Sequence, residues 1–275
     1  MLKALTALLN SNFVQYYCFL TSSSWGVERE ELTVGELTNL PFPFLNAAPE
    51  QIAYIADLVD ELARFTILKS DLSQQFSVIS SHSISRNDLD KKIEDMEREL
   101  NYSIYKCFNL NNQEIQIIEE TIQFTINFFN SPEKSAALQK PGVSMYTSYA
   151  ETYMNAINFY LEPVGRKLIA TVFVDESLPI NGVQFISVKH EEEIPSIKLT
   201  APNAAMYRTL PKLHQISLEN FARDMYYRRN YRIYDSKDSF SIFKPAESRL
   251  WTTSAALSDA EDTIAELLQP KKVSK

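Results

Sequence analysis

The chain has 275 residues, 45% of them hydrophobic and 23% charged, so it is long enough for one large domain or two ordinary ones. Its net charge of −8 argues against nucleic-acid binding unless the cations gather on one face, and its five glycines argue against folds built on glycine-rich phosphate loops. The N-terminus lacks a secretory signal pattern and no run reaches the roughly 18 apolar residues of a membrane span, so we expect a soluble, cytoplasmic protein that does not contact the membrane.

The first 130 residues are predicted to be mainly helical. The expected elements are a helix over 2–20, turns and short extended pieces over 21–46, and helices over 48–70, 89–108 and 113–129. Apolar residues at three- and four-residue spacing predict that the second and third helices pack against each other. Asn111 followed by Glu114 predicts the N-terminal cap of the fourth helix. Cys18 and Cys107 have no zinc or disulfide spacing and are predicted to be small buried hydrophobic residues.

A change of composition divides the chain. Residues 131–144 contain Pro132, Pro141 and Gly142 and little that could be buried, which is typical of a linker. The sequence therefore predicts an α+β protein with a helical part over 1–130 and a smaller mixed α/β domain over 145–275.

The second domain alternates helices and strands. The expected elements are a helix over 146–161, strands over 167–175 and 182–189, a helix over 215–230, short strands over 231–234 and 239–243, and a helix over 257–268. Asn181-Gly182 predicts a turn between the two longest strands. Ser258 with Glu261 predicts the cap of the last helix. Trp251 is expected to be a core anchor.

A resemblance to a known family rests on three segments. Leu9–Phe44 joins an apolar helix, a polar turn, Trp25-Gly26 and the phrase LTNLPFP, and related patterns occur at Gln51–Leu68 and Leu89–Ile118. This order resembles the tail of the target-recognition region in large bacterial adenine-specific DNA methyltransferases and fused restriction-modification enzymes. The resemblance covers roughly the first 120 residues.

The resemblance implies sequence recognition on DNA or docking beside a methyltransferase core. In that family the loop that corresponds to Trp25 and Arg29 lies near the DNA, so these side chains are candidate contacts; equally, they could pin the loop to the first helix. The abrupt start at the first helix suggests a split or truncated gene whose catalytic half is on another chain.

The motifs of a self-sufficient methyltransferase are missing from the sequence. It has neither a glycine-rich cofactor loop nor a Pro-Pro pair of the kind that holds a flipped adenine. A phosphate-binding loop and the zinc-protease and serine-hydrolase motifs are also missing. His82, His190 and His214 are too widely separated for a metal site. We therefore predict no cofactor, no metal and no methyl transfer by this chain alone.

One enzymatic alternative stays open at this level. A metal-dependent nuclease needs acidic residues and a lysine on neighbouring strands. The two clearest strands carry Asp175 and the pair Lys189/Glu191. Asp235 begins a sequence of the pattern Asp-x-Lys. None of these forms a complete nuclease motif.

The strongest positive signal is a basic, aromatic segment near the C-terminus. Residues 201–250 hold 9 basic and 5 acidic side chains, whereas residues 1–140 hold 11 basic and 19 acidic ones. Arginine forks bind phosphate and guanine edges, and interleaved tyrosines donate to phosphate or stack on bases. The candidate DNA-binding residues of this segment are Arg208, Lys212, Arg223, Arg228, Arg229, Arg232, Lys244 and Arg249.

Two other interpretations of this segment remain, a solvated rim around a small aromatic core and a protein docking face. The favoured hypothesis is a non-catalytic DNA-recognition or accessory subunit of a prokaryotic restriction-modification or phage-defence system. Its partners would be DNA and a methyltransferase catalytic subunit. A nuclease and a purely structural interaction protein are the alternatives.

Overall fold

A computed structural model describes residues 1–22, 33–74, 86–175, 178–201, 230–234 and 236–268. These residues form two compact units, Met1–Ile122 and Gln123–Lys275. The first unit is helical and the second combines helices with a sheet, so the predicted α+β class is confirmed. In this part of the chain no helix is both long and apolar enough to cross a lipid bilayer.

The first unit is built from helices around an apolar core. Its helices are α1 (Leu2–Leu9), α2 (Asn12–Thr21), α3 (Val34–Thr38), α4 (Pro49–Gln74), α5 (Arg86–Cys107) and α6 (Asn112–Glu120). The core is formed by side chains from α1, α2, α4 and α5, among them Leu8, Ile55 and Ile104. As the apolar spacing predicts, α4 packs against α5.

The single helix predicted over 2–20 is in fact two helices. Ser11, which is buried, separates them and caps α2 by accepting a hydrogen bond from the Val14 amide at its Oγ. A short polar side chain at this position satisfies an amide that would otherwise be unpaired at the start of a helix. By contrast, the predicted cap of α6 is confirmed, because Asn111 and Glu114 form a reciprocal capping box.

The two units divide within one continuous helical run rather than in a loop. After α6 the chain continues as a π-helix over Thr121–Ile126 and as α7 over Asn127–Asn130, and the division follows Ile122. The segment 131–144, predicted as a linker, belongs to the second unit. Its Ala137 is fully buried, and the Gln139 carbonyl accepts hydrogen bonds from the Ser248 amide and hydroxyl.

The second unit is a sheet covered on one face by two helices. The helices are α8 (Val143–Leu161) and α9 (Thr253–Leu268), and the strands are β1 (Arg166–Phe173), β2 (Ile180–Lys189), β3 (Ile197–Thr200), β4 (Tyr231–Tyr234) and β5 (Ser239–Pro245). Among the described residues the strand order is β3-β1-β2-β5-β4. In this order the β1–β3 pair is parallel, and the β1–β2, β2–β5 and β4–β5 pairs are antiparallel.

Alternation along the strands decides what each face contacts. Alternate residues of β1, β2 and β5, such as Val172, Phe185 and Ile242, pack under α8 and α9 in the main core. Trp251 is buried in that core and stacks edge-on against Tyr146 and Tyr149, so its predicted role as a core anchor is confirmed. The other face carries a smaller cluster of Phe173, Ile233 and Phe243.

Two local predictions in this unit are wrong, and one strand was not predicted. Asn181-Gly182 is not a turn but part of β2, where the Asn181 side chain points into the core and donates to Tyr146 Oη at 2.6 Å. Strand β3 is an element that the sequence did not predict. Helix α9 begins five residues before the predicted cap, because Thr252 Oγ1 accepts from the Ala255 amide and Ser258 lies within the helix.

Candidate functional site

Residues 201–230, which hold five of the candidate contact residues and are called the basic segment from here on, are flanked by residues at one end of the sheet. Thr200, just before it, pairs with Phe173, and Tyr231, just after it, pairs with Phe243. Phe173 and Phe243 both pair with Gly182, so these five residues form one row across the sheet. Four strand spacings separate its ends, which puts Thr200 and Tyr231 about 19 Å apart.

Most of the predicted contact residues lie outside the described residues. This applies to Arg208, Lys212, Arg223, Arg228 and Arg229, and also to Trp25 and Arg29 of the N-terminal loop. The helix predicted over 215–230 lies there too, apart from its last residue, Asn230. The structure therefore locates three of the ten candidates, namely Arg232, Lys244 and Arg249, and it locates the two points at which the chain enters and leaves the basic segment.

Lys244 is a buried structural cation rather than a surface contact. Its side chain is fully buried, its Nζ forms an ion pair with the carboxylate of Asp259, and it donates to the Leu250 carbonyl at 2.8 Å. The ammonium group also lies 4.3 Å from the centroid of the Tyr149 ring. Because it has no exposed surface, Lys244 cannot touch a nucleic acid in this structure, and its predicted DNA contact is corrected accordingly.

Asp259 of α9 joins this cation to the end of the basic segment. Its carboxylate accepts hydrogen bonds from Tyr149 Oη at 2.7 Å and from Asn230 Nδ2 at 2.5 Å. Its backbone carbonyl accepts from Arg232 Nη2 at 3.2 Å and from Thr263 Oγ1 at 2.8 Å. A single residue of α9 therefore fixes the chain where it re-enters the sheet.

Two tyrosines of α8 complete the buried network. Burial raises the pKa of Tyr149 well above its ordinary value, and the neighbouring Asp259 carboxylate raises it further. Burial likewise raises the pKa of Tyr153, whose hydroxyl lies 2.6 Å from Thr263 Oγ1. Both phenols are consequently neutral hydrogen-bonding groups, not bases, at physiological pH.

Arg232 lies at the edge of this network. Its side chain is only 7% exposed, and its Nη1 lies 2.7 Å from Glu266 Oε2 on α9. Despite that short distance, neither Nη1 nor Nε has a hydrogen bond of acceptable geometry among the described residues. The guanidinium is thus held by charge while part of its donor capacity is unused.

Arg249 is the most accessible of the three. Its Nε donates to Glu247 Oε2 at 2.9 Å, and its guanidinium lies 5.1 Å from the centroid of the Phe128 ring. Both contacts hold the side chain against its own unit. A partly exposed arginine with a nearby carboxylate can still reach phosphate if the side chain turns outward.

The nuclease alternative fails on geometry for the strand residues. Asp175 follows the end of β1 that pairs with Gly182, whereas Lys189 pairs with Arg166 at the other end. The two ends of the β1–β2 pair are seven residues apart along the strands, or about 24 Å. Side chains at that separation cannot coordinate the same metal ion. Among the described residues no group of three metal-binding side chains was found, and Asp235 lies outside them.

A cleft of about 330 Å³ lies between α8, β1 and the start of β3. Glu151, Asn158, Lys167 and Ser196 contribute its polar lining. Two of these groups are already engaged, because Lys167 Nζ donates to the Glu192 carbonyl and Asn158 Oδ1 accepts from the Leu168 amide. The cleft therefore offers less to a polar ligand than its lining suggests.

The first unit has a polar network of its own, at a partly buried position. The Glu119 carboxylate accepts hydrogen bonds from Tyr105 Oη and from Asn12 Nδ2, and the Asn12 amide donates to Asn101 Oδ1. Burial raises the pKa of Tyr105, and its hydrogen bond to Glu119 raises it further. The network ties α2 to α5 and α6, which is a structural role.

Sequence reasoning missed Asp259, Tyr149 and Asn230. A signal for Asp259 was present, because it lies on the stripe of Ala256, Ala260 and Thr263 that faces the core. A buried aspartate in such a stripe needs a cation, and strand alternation with Ile242 points Lys244 to the same face.

Comparison with protein-family models, curated proteins and solved structures finds no match for this chain. The resemblance to the methyltransferase recognition region therefore stays a prediction. The interpretation of the site depends on its own geometry and on the chemistry of the residues around it.

Proposed function

We propose that the chain is a non-catalytic DNA-recognition or accessory subunit of a prokaryotic restriction-modification or phage-defence system. It would act in the cytoplasm beside a separate methyltransferase catalytic subunit. The basic, aromatic segment between Thr200 and Tyr231 would be its DNA-contacting part.

The anchoring of this segment is the observation that carries the proposal. Thr200 and Tyr231 lie on one row of the sheet, so the residues that flank the segment lie at the same end of the sheet. Asn230, the last residue before β4, is tied by its side chain to the buried Asp259. A contact segment held by a rigid scaffold is the usual arrangement in binding proteins.

The charge distribution supports the same proposal. The segment supplies five of the nine basic residues in 201–250, while the acidic excess of the chain lies in residues 1–140. Separation of this kind directs a polyanion toward one part of an acidic protein. Asp259 is already neutralised by Lys244, so the buried carboxylate does not oppose an approaching phosphate.

Binding to a labelled DNA duplex, followed by fluorescence anisotropy at about 50 and 200 mM salt, tests the proposal. We expect affinity to fall by orders of magnitude over that range, since each phosphate contact adds about 0.9 to the slope of log affinity against log salt. The variant Arg228→Glu/Arg229→Glu should lower that slope by about 1.8 if both side chains contact phosphate.

A control with the same change in charge separates contact from net charge. Lys91→Glu/Arg98→Glu places the reversal on exposed residues of α5 in the first unit. We expect this control to bind almost as the unchanged chain does. Equal weakening by both variants would mean that only net charge matters, and absence of binding at 50 mM salt would overturn the proposal for the chain alone.

The partner half of the proposal concerns the first unit. One face of its helix α4 exposes the large apolar side chains of Tyr54 and Leu68 beside the acidic residues Asp57 and Glu61. We propose this face as the contact with the methyltransferase subunit. Co-purification of the two chains, lost on Tyr54→Glu/Leu68→Glu and kept on Arg228→Glu/Arg229→Glu, would support it. Co-purification unaffected by the first variant would exclude this face.

A further inference from the structure

Strand β4 carries a guanidinium and a hydroxyl group that both lie close to one carboxylate oxygen of Glu266. Arg232 Nη1 lies 2.7 Å from Glu266 Oε2, and Tyr234 Oη donates to the same oxygen at 3.0 Å. Arg232 and Tyr234 are two residues apart on β4, so their side chains lie on the same face of the sheet, the face that meets α9. Together they hold one oxygen of an anionic group between a cation and a hydroxyl.

The anion in this position is the more exposed partner. Glu266 is 55% exposed near the end of α9, whereas the Arg232 side chain is 7% exposed. Tyr234 is 52% exposed, and β4 is the outer strand of the sheet among the described residues. Rotation of one glutamate side chain would therefore open the pair of donors to an incoming ligand.

The buried arginine needs some anion at this position. Removing a guanidinium from water is costly unless a negative charge compensates it. Glu266 supplies the charge but leaves Nε and Nη1 without well-formed hydrogen bonds among the described residues. A tetrahedral phosphate, with more acceptor oxygens than this carboxylate directs at Arg232, could satisfy these donors better.

We propose that Arg232 and Tyr234 form a phosphate-binding site for the DNA backbone, which Glu266 occupies when DNA is absent. The inference rests on the proposed function for the identity of its ligand. It extends the contact surface from the basic segment onto β4, beyond Asn230. It also makes Glu266 an internal competitor that lowers affinity.

Removal of the competitor is the most direct test. We expect Glu266→Gln to bind a labelled duplex about fivefold more tightly, since the phosphate then displaces a neutral amide instead of a partly exposed ion pair. Glu261→Gln is the matched control, with the same change in charge at an exposed position of the same helix. The change in duplex affinity of this control measures how much the loss of any one negative charge on the helix affects binding.

Removal of a donor should have the opposite effect. We expect Tyr234→Phe to weaken duplex binding about tenfold through the loss of one hydrogen bond to a charged oxygen. The control Tyr160→Phe removes the hydroxyl of a similarly exposed tyrosine on α8 and should change nothing. Both substitutions leave the ring in place, so the fold is expected to be retained.

The outcomes separate this site from the proposed function. If the unchanged chain binds the duplex with a salt-dependent affinity but Glu266→Gln matches Glu261→Gln, the site on β4 is wrong and DNA recognition stands. If the unchanged chain does not bind the duplex, DNA recognition is wrong, and inorganic phosphate becomes the probe. A larger rise of Tm in phosphate over chloride of equal ionic strength for Glu266→Gln than for Glu261→Gln would then support a phosphate site; equal rises would overturn it.

Discussion

The first unit has a surface ion pair between distant residues, whereas the second unit also has one inside its core. In the first unit the ion pair of Lys3 with Asp60 lies at the surface, with the side chains 51% and 44% exposed. In the second unit Lys244 and Asp259 form an ion pair inside the core, where both side chains are fully buried. The surface pair lies outside the apolar core that specifies the first unit's fold, whereas the buried pair is part of the second unit's core.

The position of the buried pair explains why the difference matters. Asp259 contacts α8 through Tyr149, β5 through Lys244 and the chain before β4 through Asn230. An apolar core tolerates many combinations of side chains, but a buried ionic network tolerates only arrangements that satisfy every member. We infer that the network fixes the position of Asn230, the residue through which the chain enters β4.

Loss of the buried cation should have the largest effect on stability. Lys244→Met leaves the Asp259 carboxylate buried without its cation, so we expect the free energy of unfolding to fall by about 3–5 kcal/mol. Lys3→Met removes the exposed pair by the same substitution and should cost about 0–1 kcal/mol. Urea denaturation measures both, and similar losses in the two variants would remove the contrast between the units.

A close contact in the sheet should give the next largest effect. A Cβ at Gly182 would lie 2.6 Å from two ring atoms of Phe243 on the neighbouring strand. Gly182→Ala therefore forces the ring or the strand to move, which we expect to cost about 1–3 kcal/mol. At Gly142 the nearest atom is 3.8 Å away, so Gly142→Ala is the matched control. Differential scanning calorimetry that finds equal Tm values for the two variants would contradict this account.

The sequence predicted what depends on local periodicity. Apolar spacing located α4, α5 and α8, and alternation located most of β1 and β2, because one buried face imposes a fixed repeat on each element. The capping box at Asn111 and Glu114 was also predictable, since both of its residues lie within one helical turn.

The sequence could not predict what depends on contacts between distant residues. Asn181-Gly182 is a dipeptide typical of turns, but the hydrogen bond of Asn181 to Tyr146 in the core and the ring of Phe243 over Gly182 hold it in a strand. Lys244 lies in a basic, aromatic stretch of the kind that forms surface contacts. Its actual role depends on Asp259, a residue of another element. Tertiary partners override local preference at both positions.

The capping box offers a smaller effect in the first unit. Asn111→Ala removes the acceptor for the Gln113 and Glu114 amides, which we expect to cost about 1 kcal/mol. Gln113→Ala, at an exposed position of the same turn, should be nearly neutral. If thermal denaturation shows no difference between them, local capping does not limit the stability of this unit.

At neutral pH the effect of removing the Tyr153 hydroxyl should be about as small as that of removing the capping box, and it should shrink as pH rises. Burial raises the pKa of this phenol in the folded chain above its ordinary value, which is about 10 in an unfolded chain. Its contribution to stability is therefore fully present below pH ~10 and is lost as pH rises through the folded-state pKa, because the unfolded state releases the proton first. Tyr153→Phe cannot release a proton in either state.

We expect Tyr153→Phe to lower the free energy of unfolding by about 1 kcal/mol at pH 7, through loss of the hydrogen bond with Thr263. Above pH ~10 its urea midpoint should decline less steeply than that of the unchanged chain. Tyr160→Phe, an exposed counterpart on α8, should keep the steeper decline. Parallel declines in all three chains would show that Tyr153 titrates alike in the folded and unfolded states, and the buried network would then not be as closed to water as its contacts indicate.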